Sequence, residues 1–472
     1  MSLDRLALRV LLPSFPGAVL DDEVCGLLEE GLGGLCLFGS NTADGPEAVA
    51  AYADRARRAA PDLVMAIDEE GGDVTRLHAA SGSPFLGAGA LGAADDLDLT
   101  RATAAAIGAE LAGLGLDLTL GPVADVNSNP DNPVIGIRSF GTEPDRVAAH
   151  VAAWVDGVQA AGTAACAKHF PGHGDTRQDS HLELPEIDVP LDLLRARELV
   201  PFRAAVRAGV EAVMTSHIVV RALDGLPATL SAPVLSMLRA DLGFSGLIVS
   251  DALDMAGASA GRGIPRSAVE SLVAGIDLLC IGPDKDVALV RAIQRAIVEG
   301  VRSGELAEDR LAQAAARVDR FGVRRRSVPE APPDDLRSRQ YDGARAALRI
   351  EGALPDLHGA SVVSVATEPN IAVGSVPWGV SAELTVAPDG SVPPGSGPVL
   401  VQVREAHRHP DVLDLLQRTA VGRAVVVLEW GWPGALPGPL SELPRVVPFG
   451  SSQPSVAAVA ALLHDAGWEA PS

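Results

Sequence analysis

Lysine is almost absent from this chain of 472 residues. Of 38 basic residues only Lys168 and Lys285 are lysine, and the rest are arginine. A position that keeps a compact ammonium where arginine is the habitual cation stands out, because the two groups differ in geometry and hydration. Positive charge as a whole is scarce. The formal net charge is −23 and no basic tract occurs, which disfavours nucleic acid and anionic membrane surfaces as partners. Cysteine is also sparse. Cys36, Cys166 and Cys280 lie in apolar runs, Cys25 lies in a helix-like stretch, and there is no CxxC. Buried free thiols are therefore expected, with neither disulfides nor a thiolate metal site. No run reaches the roughly 18 apolar residues of a membrane span. The opening MSLDRLALRVLLPSFPG has a short apolar run broken by Arg9 and no A-x-A site. It predicts a first strand, not a signal peptide, and makes the cytoplasm the expected address.

A hydrophobic fraction of 47% is ample for large cores. Short apolar runs at Leu8–Leu12, Gly34–Phe38, Leu63–Ile67, Leu116–Leu120, Thr163–Ala167, Ala212–Ser216, Leu247–Ser250 and Ile276–Ile281 predict strands. Amphipathic stretches such as Pro46–Ala59, Asp145–Ala161 and Val287–Glu299 predict helices between them. Eight β-α units suit a parallel barrel or a doubly wound sheet. Asp68, Asp125, Lys168, His217 and Asp251 fall at the carboxyl ends of five different strands. A (β/α)₈ TIM barrel gathers those ends at one mouth, whereas an open sheet spreads them along an edge. The barrel domain is expected over residues 1–326. A Pro- and charge-rich linker follows at 327–340, and a smaller α/β sandwich-like domain at 341–472.

The loop after the fifth strand is KHFPGHGDTRQDSH, residues 168–181. Its three histidines and two aspartates raise the question of a metal. Pro171 and Gly172 between His169 and His173 prevent the shared helix face of an HExxH site, so no metal and no cofactor is expected. Asp179 and His181 form the favoured pair. A carboxylate two residues from an imidazole can fix its tautomer and raise its basicity, giving an acid/base dyad. Spacing alone also allows Asp179 to be a turn residue. Asp251, directly after a buried strand, points toward the mouth as a nucleophile, or equally caps a helix. Lys168 is singled out by the rarity of lysine, whereas Lys285 reads as ordinary surface. Asp68-Glu69-Glu70 crowds three acids that can accept sugar hydroxyls. Arg76 and Arg138 can balance them, though either arginine taken alone suits a surface salt bridge.

Together KHFPGHGDTRQDSH, IDEEGGDVTRL, GPVADVNSNPDNPVIGIRSFG and VSDALDM resemble glycoside hydrolase family 3, in its β-N-acetylglucosaminidase (NagZ-like) branch. The likeness runs from about Val10 to Val323. It implies a TIM barrel and a retaining mechanism, with Asp251 as nucleophile, His181 as proton donor and base, and Asp179 tuning it. Sugar-binding roles fall on Asp68, Arg76, Arg138, Lys168 and His169. The implied substrate carries a terminal β-linked N-acetylglucosamine, often from cytoplasmic peptidoglycan turnover. Glu69 and Asp73 stand where relatives commonly have Gln and Arg, which predicts an acidic rim that disfavours anionic fragments.

The leading expectation is thus a soluble exo-β-N-acetylhexosaminidase. A phosphorylase is the nearest rival, since a neutral imidazole does not repel incoming phosphate as a carboxylate would. The remaining alternatives are a β-glucosidase of the same family, a non-catalytic sugar-binding protein on a retained barrel, and a metal-dependent hydrolase.

Overall fold

The computed structural model describes residues 1–178, 184–259, 261–322, 333–367, 370–395 and 397–470. Eight short parallel strands carry the N-terminal two-thirds: β1 (Leu11–Pro13), β2 (Gly34–Leu37), β3 (Val64–Ile67), β4 (Leu118–Thr119), β5 (Ala164–Phe170), β6 (Ala212–Thr215), β7 (Leu247–Val249) and β8 (Leu279–Gly282). Strands β2 to β7 form one curled six-stranded sheet in chain order, and β1 pairs with β8. The two pieces approach where Ser250 N–H donates to the Leu278 carbonyl at 3.0 Å and Gly33 N–H to the Leu8 carbonyl at 3.1 Å. Parallel strands need long returns, and helices such as Pro46–Ala59, Pro144–Ala160 and Val287–Arg302 supply them.

The strand expectations agree with the observed strands to within a few residues, with one displacement. Leu8–Leu12 was expected as strand, but Leu3–Arg9 is a helix and the strand begins at Leu11. Ser2 caps that helix by accepting from Arg5 N–H at 3.3 Å, and Asp4 and Arg9 complement its two ends.

One cluster of inward side chains draws on all eight strands or the residues beside them, with Leu12, Cys36, Ala66, Leu118, Cys166, Met214, Val249 and Cys280 among its members. Val318 and Phe321 of the helix Glu308–Gly322 join it. The amino ends of β7 and β8 are tied by Asp277, which is fully buried. Its carboxylate accepts from Arg310 Nη2 and Arg317 Nη1 at 2.9 Å each, from Ile248 N–H at 3.1 Å and from Arg239.

A second sheet builds the C-terminal third. Its strands are β9 (Arg349–Glu351), β10 (Ser361–Val365), β11 (Leu384–Val386), β12 (Val399–Val403), β13 (Val425–Glu429) and β14 (Arg445–Val447), in the order β9-β14-β13-β12-β10-β11. All pairs are parallel except β9–β14. Alternate residues of β12 and β13 bury against helix Pro410–Thr419 on one face and helix Gln453–Asp465 on the other, as two-sided burial of a parallel sheet requires. Helix Leu336–Ala347 bridges to the N-terminal part. Its Gln340 accepts from Leu86 N–H at 2.8 Å and donates to Thr103 Oγ1 at 2.6 Å. Among the described residues no helix is long and apolar enough to cross a membrane.

Removing a buried carboxylate strands the cations around it. Asp277→Ala is expected to destabilise the chain by about 3 kcal/mol, read as a lower urea midpoint. An unchanged midpoint would mean that the three arginines are satisfied by solvent.

Candidate active site

A cavity of about 420 Å³ opens at the carboxyl ends of the strands, within the range of small-molecule sites. Asp68 lies one residue beyond β3, Lys168 and His169 lie near the end of β5, and Asp251 lies two residues beyond β7. Arg138 arrives from the turn Gly136–Arg138, and Arg76 from just beyond the ribbon formed by Glu69–Gly71 and Val74–Thr75. All six line the cavity.

Lys168 is the hub. It is 2% exposed, and its Nζ lies 2.7 Å from Asp68 Oδ1 and 2.7 Å from Glu70 Oε1. Arg138 grips the same Glu70 in a fork, Nη2 to Oε1 at 2.7 Å and Nε to Oε2 at 3.1 Å. Burial by itself would raise the Asp68 and Glu70 carboxyls. The cations beside them outweigh it and hold both below their ordinary range. Reciprocally, these carboxylates keep Lys168 and Arg138 firmly protonated against the desolvation that opposes it. Arg138 is thus buried in a bidentate pair, not on the surface.

The pleat of the ribbon separates the neighbouring acids. Glu70 faces the cavity, while Glu69 turns inward and accepts from Arg76 N–H at 2.9 Å and Leu77 N–H at 3.1 Å. Asp73 is likewise buried, accepting from Ser451 N–H at 2.6 Å. The expected acidic rim from Glu69 and Asp73 is therefore absent, because both carboxylates serve backbone donors inside the protein.

Asp125 organises the base of the loop after β5. Its Oδ1 accepts from His169 N–H at 3.2 Å and His173 N–H at 2.7 Å, and its Oδ2 faces His169 Nδ1 at 2.7 Å. That carboxylate favours a proton on His169 Nδ1, and the other ring nitrogen, Nε2, lies 3.5 Å from Arg138 Nη2. His173, which had no expected role, is a structural pin. Its Nδ1 pairs with Thr176 Oγ1 at 2.8 Å, its carbonyl accepts from Asn132 at 2.8 Å, and burial followed by the neighbouring His169 lowers its pKa to about 4. Gly174 has to be glycine, since a Cβ there would lie 1.7 Å from the Val126 carbonyl oxygen. Asp179 and His181 lie outside the described residues.

Asp251 is half-buried, and its Oδ1 accepts from Ala252 N–H at 2.8 Å. It is not a helix N-cap, because the next helix, Ala256–Ser259, starts five residues later. His217 does not reach the cavity lining. It is buried, with Nε2 on the Ala252 carbonyl at 2.9 Å and Nδ1 on Thr229 Oγ1 at 3.0 Å, where it steadies the turn after the aspartate. Three contributors are not predicted from the sequence. Lys285 is no ordinary surface lysine: its Nζ pairs with Asp254 Oδ2 at 2.7 Å, and Asp254 lines the cavity. The rarity of lysine was the available signal. Ile371 and Ala372 also line the cavity, and no local pattern marks them.

Burial pushes the Glu69 carboxyl up from 4.5 to about 7. A carboxyl raised in the folded state stabilises the fold below its unfolded value and loses that contribution as pH rises through the folded one. Glu69→Gln is therefore expected to raise the melting temperature at pH 8 and to change it little at pH 5. Equal shifts at both pH values in thermal unfolding would show that Glu69 does not titrate in this window.

The model of the glycosyl hydrolase family 3 N terminal domain matches residues 11–321. The chain is 34% identical over 315 residues to β-hexosaminidase A of Pseudoalteromonas piscicida, an alignment covering 61% of this chain and 52% of that protein. It thus spans about half the length of that relative. It is 37% identical over 278 residues to a β-hexosaminidase of Methylococcus capsulatus (strain ATCC 33009 / NCIMB 11132 / Bath), covering 58% of this chain and 83% of that one. The fold is similar to that of a glycoside hydrolase family 3 β-N-acetylglucosaminidase from Paenibacillus sp. str. FPU-7, with a TM-score of 0.85, 28% identity, and coverage of 99% and 97% of the two chains. With the strand-end cavity and the matched span together, this chain belongs to glycosyl hydrolase family 3.

Proposed function

We propose that the chain is a retaining exo-β-N-acetylhexosaminidase that releases terminal β-linked N-acetylglucosamine. Peptidoglycan fragments are one source of such ends. Its catalytic unit is residues 1–326, closed as a (β/α)₈ barrel, followed by the expected linker at 327–340 and a second domain at 341–472. The last residues of that linker, 336–340, are not free connection but the start of the packed helix Leu336–Ala347. Interior side chains contributed from around all eight strands to one cluster support the closed ring.

The observation that carries the reading is the cavity itself. Asp251 lines it together with a network of ionic donors and acceptors, Lys168, Asp68, Glu70 and Arg138. Such preorganised groups suit a polyhydroxylated ring, and a carboxylate beside them suits attack at an anomeric carbon. Asp68, Arg76, Arg138, Lys168 and His169 bind the terminal sugar. Asp251 displaces the aglycone to give a glycosyl–aspartate while protonated His181 donates to the leaving oxygen. Neutral His181, tuned by Asp179, then takes a proton from the water that releases the sugar, so the β-configuration is retained. The anchoring of residues 168–178 to Asp125, Asn132 and Arg197 supports a firmly held root for that dyad. The names carried by the relatives support the hexosamine over glucose.

Asp251→Ala is expected to lower turnover of an aryl β-N-acetylglucosaminide by about 10³-fold or more, and NMR of the wild-type reaction is expected to show the β-anomer first. Activity near wild type in the variant, or an α-anomer as first product, would overturn the assignment.

A further inference from the structure

Among the described residues no strand of the C-terminal sheet lines the cavity, yet one stretch between β10 and β11 reaches it. Asn370 Nδ2 donates to the carbonyls of Pro133 at 3.0 Å and Val134 at 2.8 Å, and Asn370 Oδ1 accepts from Ala372 N–H at 2.8 Å. Val373 and Val376 bury against Val74 directly beside it. Polar and apolar contacts thus fasten Asn370–Ala372 to the rim.

This attachment touches both arginines of the cavity. The Ala372 carbonyl accepts from Arg76 Nη2 at 3.0 Å, and the same nitrogen lies 3.7 Å from Asp68 Oδ2. The Val134 carbonyl is shared, accepting from Arg138 Nη1 at 3.2 Å as well as from Asn370. Ile371, between these anchors, is 51% exposed and lines the cavity. Ile371 is thus a branched apolar side chain left half in water at the edge of the cavity, with contact area that the described residues leave open to a ligand.

Position along the cavity decides what it meets. Lys168, Glu70 and Arg138 are almost wholly buried at the inner end of the cavity, so that end takes the terminal sugar. Whatever that sugar is linked to must extend outward past the exposed rim. We propose that Asn370–Ala372 forms the aglycone side of the site. Ile371 packs on a leaving group with an apolar face, an aryl ring or the C–H face of a second pyranose. Asn370 and the Ala372 carbonyl act as positioning groups for Arg76. The inference rests on the exo-hydrolase reading above, and it gives the C-terminal part a role in specificity.

The test uses the full chain, with Ile371→Ala, Ile371→Asp and Asn370→Ala compared on 4-nitrophenyl N-acetyl-β-glucosaminide and N-acetyl-β-glucosaminyl fluoride. The fluoride has no apolar face to pack. The ratio of kcat/KM for aryl over fluoride is expected to fall about fivefold in Ile371→Ala and further in Ile371→Asp. Asn370→Ala is expected to lower kcat/KM on both substrates alike, through loss of Arg76 placement, with the melting temperature recorded to exclude misfolding. A ratio within twofold of wild type in both Ile371 variants would overturn the proposal. If the wild type turns over only the corresponding glucosides, the hexosamine reading fails and the same ratio is taken on those. If it turns over neither pair, calorimetric titration of aryl and methyl β-glycosides replaces kinetics, and equal loss of affinity for both in Ile371→Ala overturns the proposal.

Discussion

The Lys168 ammonium, held 2.7 Å from two carboxylates with almost no access to water, is the contact on which the site depends. It joins β5 to the residues after β3, and Glu70 passes the link to Arg138 through a fork. Each member would be costly to bury alone. Two cations and two carboxylates together cancel their charge, but such a cluster is seldom a net source of stability. Its effect is geometric. Four ionic groups are fixed before any ligand arrives, so a polar ligand is met without reorganisation.

From that hub the supporting contacts run outward along separate chains of residues. Asp125 holds the histidines of the loop after β5, and His217 holds the turn that follows Asp251. Lys285 and Asp254 make a second, more exposed ion pair at the mouth. The opposite end of the strands has a different task. There Asp277 collects three arginines and a backbone N–H around the starts of β7 and β8. Ion pairs at one end shape a cavity, and those at the other fasten neighbouring strands together.

Much of the scaffold was legible because buried parallel strands are short apolar runs, and seven of the eight runs align closely with observed strands. The exception, Leu8–Leu12, failed for a local reason: a serine cap and complementary end charges turned its beginning into a helix. Among candidate site residues, Asp68, Arg76, Arg138, Lys168, His169 and Asp251 do converge on one cavity. Asp179 and His181 lie outside the described residues, and their pairing rests on sequence. Glu69 and Asp73 could not be read from composition, since an acid beside a cavity and an acid serving buried N–H groups look the same in a string of letters. Lys285 reads as surface in the sequence because its partner, Asp254, stands 31 residues earlier.

The sequence by itself determined the alternation of strand and helix, the strand ends that carry polar residues, and the family. These follow from periodicity and from motifs, which are local. Tertiary structure alone decided which acids face the cavity, which cations pair with them, and that Asn370–Ala372 closes its rim. Most of those outcomes depend on contacts between residues far apart in the chain, 68 positions for Arg138 with Glu70, 100 for Lys168 with Asp68 and 296 for Arg76 with Ala372. No window of sequence contains both partners, and in a buried site the cost of an unpaired charge makes the pairing the deciding term.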